Sequence, residues 1–317
     1  MLSKIKTLVE RFFGFVETEK PTYPLLFFRV GLSLICIGKF FVVRDVFLTL
    51  FGQYGLTQWV ISKLVSFSFL PHIGDFALFL NKHLHISVDR ATELLMQLFF
   101  LFSIFLLLGF LTRLSTIICF ILHLAFLNTG YTSMYGVDSF TQIALFYAMF
   151  FPLNITYSID CFIGISKFKT SSVLTGILIR IVQFQLCIVY LSASIEKFCG
   201  SQWFNGEAIW RVLMMPIFKH YDFSWIAQFP FISIVLGYSV LIIEFGYAFF
   251  MWWKNVRVGW LFLIISLHFG IGLFMGMWCF AYMMIFLSLF AFGDDVLNDI
   301  KSCRRNKTPV IQKMQVV

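Results

Sequence analysis

The residues best placed to do chemistry gather in one stretch, 180–210, RIVQFQLCIVYLSASIEKFCGSQWFNGEAIW, where an apolar helical run ends on a lysine. Between Ile181 and Ile195 the strongly hydrogen-bonding side chains are Gln183, Gln185, Ser192 and Ser194. Glu196 and Lys197 follow, then a turn at Cys199–Ser201, Trp203, a second turn at Asn205–Gly206 and an amphipathic segment. A lysine at the mouth of a membrane helix can be partly desolvated, which makes a neutral amine available as a base. Tyr190 precedes Lys197 by seven residues, close to the spacing that puts both on one helix face. The alternative for Lys197 is an interfacial side chain that snorkels to water.

The elements that must hold this lysine are membrane helices. The 317 residues are 60% hydrophobic and 13% charged, with 43 Phe, and the mean hydropathy is +0.87. Such a chain cannot keep a soluble surface wet, so the expected fold is an all-α integral membrane protein, a bundle of about eight transmembrane helices with interfacial helices, in contact with the lipid bilayer. The net charge of +8 fits the Lys and Arg of cytoplasmic loops better than a nucleic-acid partner. Seven scattered cysteines without a C-x-x-C pair argue against thiol redox chemistry and against a metal site.

Eight apolar stretches predict the spans: 24–43, 91–110, 114–127, 138–153, 174–195, 231–253, 256–275 and 276–292. Residues 1–21 read as an interfacial amphipathic helix, with Leu8, Phe12, Phe15 and Val16 opposed by Lys4, Lys6 and Arg11, and no removed signal peptide is expected. Residues 45–90 predict one or two helices at the outer interface. Residues 22–293 form one membrane domain, and 294–317 a basic cytoplasmic tail, disordered at its end. One side of the membrane collects the N-terminus, the loops at 111–113, 156–173 and 254–257 and the tail. Those segments carry twice the Lys and Arg of the other side, which holds Arg44, Lys63, Lys82, Arg90, Lys197, Arg211 and Lys219. Both termini are therefore expected in the cytoplasm of a bacterial membrane, and Lys197 outside.

Arg180, Gln183, Tyr190, Lys197, Trp203 and Gly206 together resemble the horizontally transferred transmembrane (HTTM) domain, the membrane part of vitamin K-dependent γ-glutamyl carboxylase. Arg29, Gly136 with Asp138, Ser158 with Asp160, Glu244, His268 and the run Gly276, Met277, Phe280, Met284 extend the likeness in order over about 22–293. The resemblance implies a lysine base that deprotonates a reduced, vitamin K-like quinone, whose oxygenation yields an alkoxide strong enough to remove a glutamate γ-proton. By that resemblance Lys197 is the base, Glu244 and His268 join it as catalytic candidates, and Tyr190, Trp203 and Arg180 are cofactor-binding candidates. A stand-alone bacterial form, the sporulation-delaying protein B group, is similar in Gly206, Ala208, Ile209, Trp210 and in Pro216, Ile217, Phe218, and has arginine where this chain has Lys197. That likeness implies a secreted peptide or protein as substrate or partner.

The chain also departs from the carboxylase. Glu196 stands where that enzyme has a second lysine, the turn Asn128–Tyr131 holds no histidine, and the large substrate-holding extramembrane region has no counterpart in these residues. Two functions follow as expectations: a carboxylase-like enzyme performing base-assisted quinol or peptide modification at the outer face, or a non-catalytic membrane partner in maturation, export or immunity of a secreted peptide toxin. A transporter is disfavoured by the absence of an inverted repeat. An ionisable side chain in mid-span is costly and usually paired, so Glu244 is expected to meet Arg29, Lys39 or His268. His268 itself reads as a satisfied core residue or a proton relay. Arg29 and Arg180 read as helix pins or anion contacts, Asp138 as the cap of the fourth span, and Asp160 as the end of a loop.

Overall fold

The computed structural model describes residues 2–155, 157–166, 171–218 and 221–314, with side chains omitted at 2–5, 8, 9, 12 and 304–314. Lys167, Lys169 and Lys219, which enter the charge count, lie outside the described residues, and so do the side chains of Lys4, Leu8 and Phe12. The described chain is helical, without a strand, and seven of its helices are long and apolar enough to cross a membrane. It is an all-α integral membrane protein. By packing, the chain divides into two compact units, Lys20–Thr175 and Met1–Glu19 with Gly176–Val317.

In chain order the helices are α1 (Leu2–Val16), α2 (Tyr23–Val43), α3 (Phe47–Phe51), α4 (Trp59–Val65), α5 (Ile73–Leu84), α6 (Val88–Leu108) and α7 (Thr112–Thr129). They continue with α8 (Gly136–Phe150), α9 (Ile159–Phe162), α10 (Ser172–Phe198), α11 (Glu207–Met214), α12 (Pro230–Phe250), α13 (Lys254–Met275) and α14 (Trp278–Met314). The helix α14 extends to Met314, and the end of the tail lies outside the described residues. The broken region 45–90 is richer in structure than expected, with α3 continuing the line of α2 and α4 and α5 forming an elbow.

The unit Lys20–Thr175 is built on α2, α6, α7 and α8. Arg29, 1% exposed, donates from Nη1 to the Leu153 carbonyl at 2.8 Å and from Nη2 to that of Tyr157 at 2.6 Å. It therefore pins helices and does not meet Glu244. A Cβ on Gly109 would fall 2.6 Å from Arg29 Nη1, and φ there is +68°, so glycine is required by space and by backbone alike. Asp160 does more than end a loop: its carboxylate accepts from the N–H groups of Leu111 and Thr112 and from Thr112 Oγ1 at 2.7–2.9 Å, capping α7 from 48 residues away in sequence. Asp138 accepts from Tyr135 N–H at 3.1 Å as the cap of α8, and it also holds the Lys39 ammonium in an ion pair. Lys39 reaches His123 Nε2 at 3.1 Å, and His123 Nδ1 lies 2.7 Å from Gln142 Oε1.

These contacts settle how far α8 reaches. Its 15 residues make only ~22 Å of helix, short of the ~30 Å hydrocarbon core. Yet its start follows the end of α7 after one short turn at 130–135, its middle lies beside the middle of α7 through Gln142 with His123 and Phe120, and the chain just past its end lies beside the first turn of α7, through Arg29 and Asp160. The segment 136–154 thus runs the full length of α7, which is itself of spanning length.

The elbow is fixed to α7 by polar contacts. Ser62 Oγ donates to the Thr129 carbonyl at 2.8 Å, Ile73 N–H donates to Thr129 Oγ1 at 2.9 Å, and Asn128 Nδ2 donates to the Leu70 and Pro71 carbonyls at 3.2 Å. His72 sits among them, accepting at Nδ1 from Gly74 N–H at 2.9 Å and meeting Ser62 Oγ through Nε2 at 3.1 Å. Ser62 spends its proton on Thr129, so Nε2 is the protonated nitrogen and Nδ1 the acceptor. Burial and then the nearby Lys63 charge pull the His72 pKa down to about 4, against a smaller opposing effect of Asp75.

Two outcomes follow. In a background with the other native cysteines replaced, Ser133→Cys and native Cys161 should react with a membrane-impermeant maleimide from opposite faces, and labelling from one face would make 136–154 a re-entrant hairpin. Because unfolded His72 protonates near 6.5 and folded His72 near 4, the unfolded state binds more protons between those values, so the elbow loses stability as pH falls through that window. Amide exchange over 59–75, corrected for intrinsic rates, should be faster at pH 5 than at pH 7 in the native chain and lose that difference in His72→Gln.

Candidate functional site

The unit containing α10 positions the lysine. Side chains on a helix tilt toward its N-terminus, so Lys197, one residue from the end of α10, runs back along the helix into the packed helices. Its ammonium donates to Glu244 Oε2 at 2.5 Å and lies 5.3 Å from the centre of the Trp203 ring. The two side chains are only 22% and 11% exposed. Lys197 is therefore no snorkelling residue, and the partner of Glu244 is Lys197, not Arg29, Lys39 or His268. Glu196, the carboxylate next to Lys197 in sequence, is exposed. Trp203 reaches the pair because α12 has a glycine opposite: a Cβ on Gly237 would fall 2.4 Å from the Trp203 carbonyl oxygen. Phe198, Phe204, Tyr238 and Phe245 form an aromatic wall around this corner, with ring centres 5.7–6.1 Å apart.

Below the ion pair lies a second polar layer. Tyr190 Oη is 2.7 Å from His268 Nε2, and Tyr190 packs on Tyr247 with ring centres 4.3 Å apart. Tyr247 donates to Ser288 Oγ at 3.4 Å. His268 Nδ1 is buried without a hydrogen-bond partner among the described residues. Tyr190 lies two turns before Lys197 on α10, and Tyr247 lies one turn after Glu244 on α12. The layers are consecutive along both helices, and four helices (α10, α12, α13 and α14) contribute to them. Tyr247 and Ser288 escape sequence reasoning because a tyrosine and a serine in an apolar span look like ordinary core. The available signal was the i, i+3 spacing of Glu244 and Tyr247.

Of the candidates, Lys197, Glu244 and Trp203 meet directly, and Tyr190 and His268 form the adjoining layer. Arg180 stands apart, ~25 Å from Lys197 along one continuous helix. Its guanidinium covers the Phe15 ring at 3.9 Å, lies 5.8 Å from that of Trp252, and donates from Nη1 to Gln183 Oε1 at 2.7 Å. Gln183 in turn donates to the Ala291 carbonyl at 2.6 Å and to Asp295 at 3.0 Å. Arg257 pairs with Asp299 at 3.0 Å. Arg180 thus ties α1, α10, α12 and α14 together at the end of the unit opposite Lys197. The Phe15 contacts bring the end of α1 against α10 in this unit.

No family model, no curated protein and no solved structure matches the chain. The chemical reading of the site therefore rests on its own geometry. An ammonium and a carboxylate sharing one hydrogen bond away from bulk water form a unit that can exchange a proton internally, since burial disfavours both separated charges. An aromatic wall beside it suits a flat, apolar reactant. Among the described residues no cluster of His, Cys, Asp and Glu has the makings of a metal site.

Removing one member of the pair leaves the other charge buried. Glu244→Leu alone should lower unfolding stability by about 2–3 kcal/mol, below the fully buried range because the pair keeps some exposure. The double variant Lys197→Met with Glu244→Leu should recover most of that loss, as measured by thermal unfolding of the detergent-solubilised chain.

Proposed function

We propose that the chain is a membrane enzyme in which Lys197, coupled to Glu244, accepts a proton from a quinol or peptide substrate in a carboxylase-like modification of a secreted peptide. The observation that carries this reading is the direction of Lys197: its amine is turned into the unit, between a carboxylate and an indole. The fit to a reduced, vitamin K-like quinone is chemical. The Phe198, Phe204, Tyr238 and Phe245 rings offer apolar faces, Lys197 a base, and the Tyr190–His268 pair a second hydrogen-bonding group. When bound, such a quinol would supply an acidic hydroxyl and reducing equivalents for oxygen. With the shared proton resting on Glu244, the neutral Lys197 amine would take the substrate proton, the ammonium so formed would balance the charge left on the substrate, and Trp203 would shield the pair from water. The charge asymmetry of the loops supports an outward-facing site in a bacterial cytoplasmic membrane with both termini inside, and the passage of 136–154 along α7 supports the even number of crossings this requires.

One observation favours a second reading, in which the chain is a non-catalytic membrane partner in maturation, export or immunity of a secreted peptide toxin. The ammonium of Lys197 already donates to Glu244, which is how a purely structural ion pair joining α10 to α12 would look.

Arginine preserves the ion pair and cannot act as a base, so Lys197→Arg separates the readings. The enzyme reading expects Lys197→Arg and Lys197→Ala to lower product formation at least about a hundredfold, with Lys197→Arg accumulating like the native chain. Product is read by the mass of secreted peptides and by the redox state of membrane quinones. Unchanged product from both variants, at native protein levels, would remove the enzyme reading.

A further inference from the structure

The same unit contains a cavity of about 290 Å³, lined by Asn205, Gly206, Glu207, Trp210, Pro230 and Ser233 among others. Two helices begin at its wall. Glu207 is the first residue of α11 and Pro230 the first of α12, so both present the N–H-rich, positive ends of their dipoles there. Ser233 is only 4% exposed, and its hydroxyl is buried without a hydrogen-bond partner among the described residues, so it would meet a ligand in the cavity that Ser233 lines by turning about its Cα–Cβ bond. In a well-packed structure such an orphan hydroxyl is rare and calls for a partner. Asn205 spends its side-chain oxygen on Glu207 N–H at 2.9 Å, which leaves its amide NH2 as a further donor. The wall is therefore rich in donors.

Charge narrows the class of ligand. The Glu207 carboxylate borders the cavity, balanced by Arg211 at 2.6 Å, so a full negative charge gains little there while a neutral carbonyl oxygen is not repelled. Phe229 and Phe231, on either side of Pro230, and Trp225 are all exposed, and in a membrane protein they offer an apolar path away from the cavity. We infer that the cavity between the starts of α11 and α12 binds the carbonyl-bearing head of a small amphiphile, with the Ser233 hydroxyl turned onto the carbonyl oxygen and the tail lying along Phe229 and Phe231. A glycerolipid ester and a quinone share this chemistry. The site stands on its own geometry and does not depend on Lys197 being a base.

The test uses the full chain in nanodiscs of diether lipid, whose matrix carries no ester carbonyl, with empty nanodiscs subtracted. The probes are a short-chain diacylglycerol, its diether analogue and menadione. Saturable binding of the diacylglycerol, of menadione or of both, with the diether at least about tenfold weaker, supports the site and identifies its source. Ser233→Ala should weaken the bound probe about three- to tenfold, the worth of one hydrogen bond, and Ser233→Leu should abolish saturable binding by filling the space. Lys197→Ala should leave the affinity unchanged, so a failed enzyme reading and a failed cavity site give different results. Equal binding of diester and diether, only unsaturable partition of every probe, or native affinity in a monodisperse Ser233→Ala chain would each overturn the proposal.

Discussion

Inside a lipid-embedded helical unit a charge has no water to fall back on, so every ionisable side chain must be answered by another group of the protein. Most of the specific architecture here follows from that requirement. Lys197 is answered by Glu244, Lys39 by Asp138, and Arg257 by Asp299. Arg29 donates to the carbonyls of Leu153 and Tyr157. Each answer joins residues far apart in sequence and fixes the register of two helices that apolar packing alone would leave free to slide.

In the unit Lys20–Thr175 these answers act as terminal clamps. Arg29 and Asp160 gather the ends of α6, α7 and α8 at one level, while Asn128, Thr129, Ser62 and His72 close the other end of α7. A helix of only 15 residues is carried along the whole length of its neighbour because its flanking turns are held by side-chain bonds. Hydropathy windows, which weigh length and apolarity, undercount such an element.

In the unit that contains α10 the polar groups are stacked in the interior instead of at the ends. The Lys197–Glu244 pair, the Tyr190–His268 pair and the Tyr247–Ser288 contact form successive layers, while Arg180 and Arg257 hold the opposite end. The grouping of Lys197, Glu244 and His268 is a property of the packed helices, and it sets Lys197 some 25 Å from Arg180 along α10.

Read alone, the chain determined its solvent and its elements. An excess of apolar residues with few charges leaves lipid as the only compatible environment, and runs of that length in lipid must be helices because no other local structure satisfies its own backbone. The expected spans therefore fall on α2, α6, α7, α8, α10, α12, α13 and α14, and Lys197 stood out because charge is scarce around it. Partnership was decided only by tertiary structure. Glu244 had three plausible cations in sequence and took a fourth, Arg180 shares one apolar run with Lys197 and proved to be at the other end of the helix, Tyr247 carried only its spacing from Glu244, and Ser288 carried no signal at all. The physical reason is that hydropathy is a sum over local residues, whereas the pairing of a buried charge depends on which distant helix brings a complementary group to the same depth.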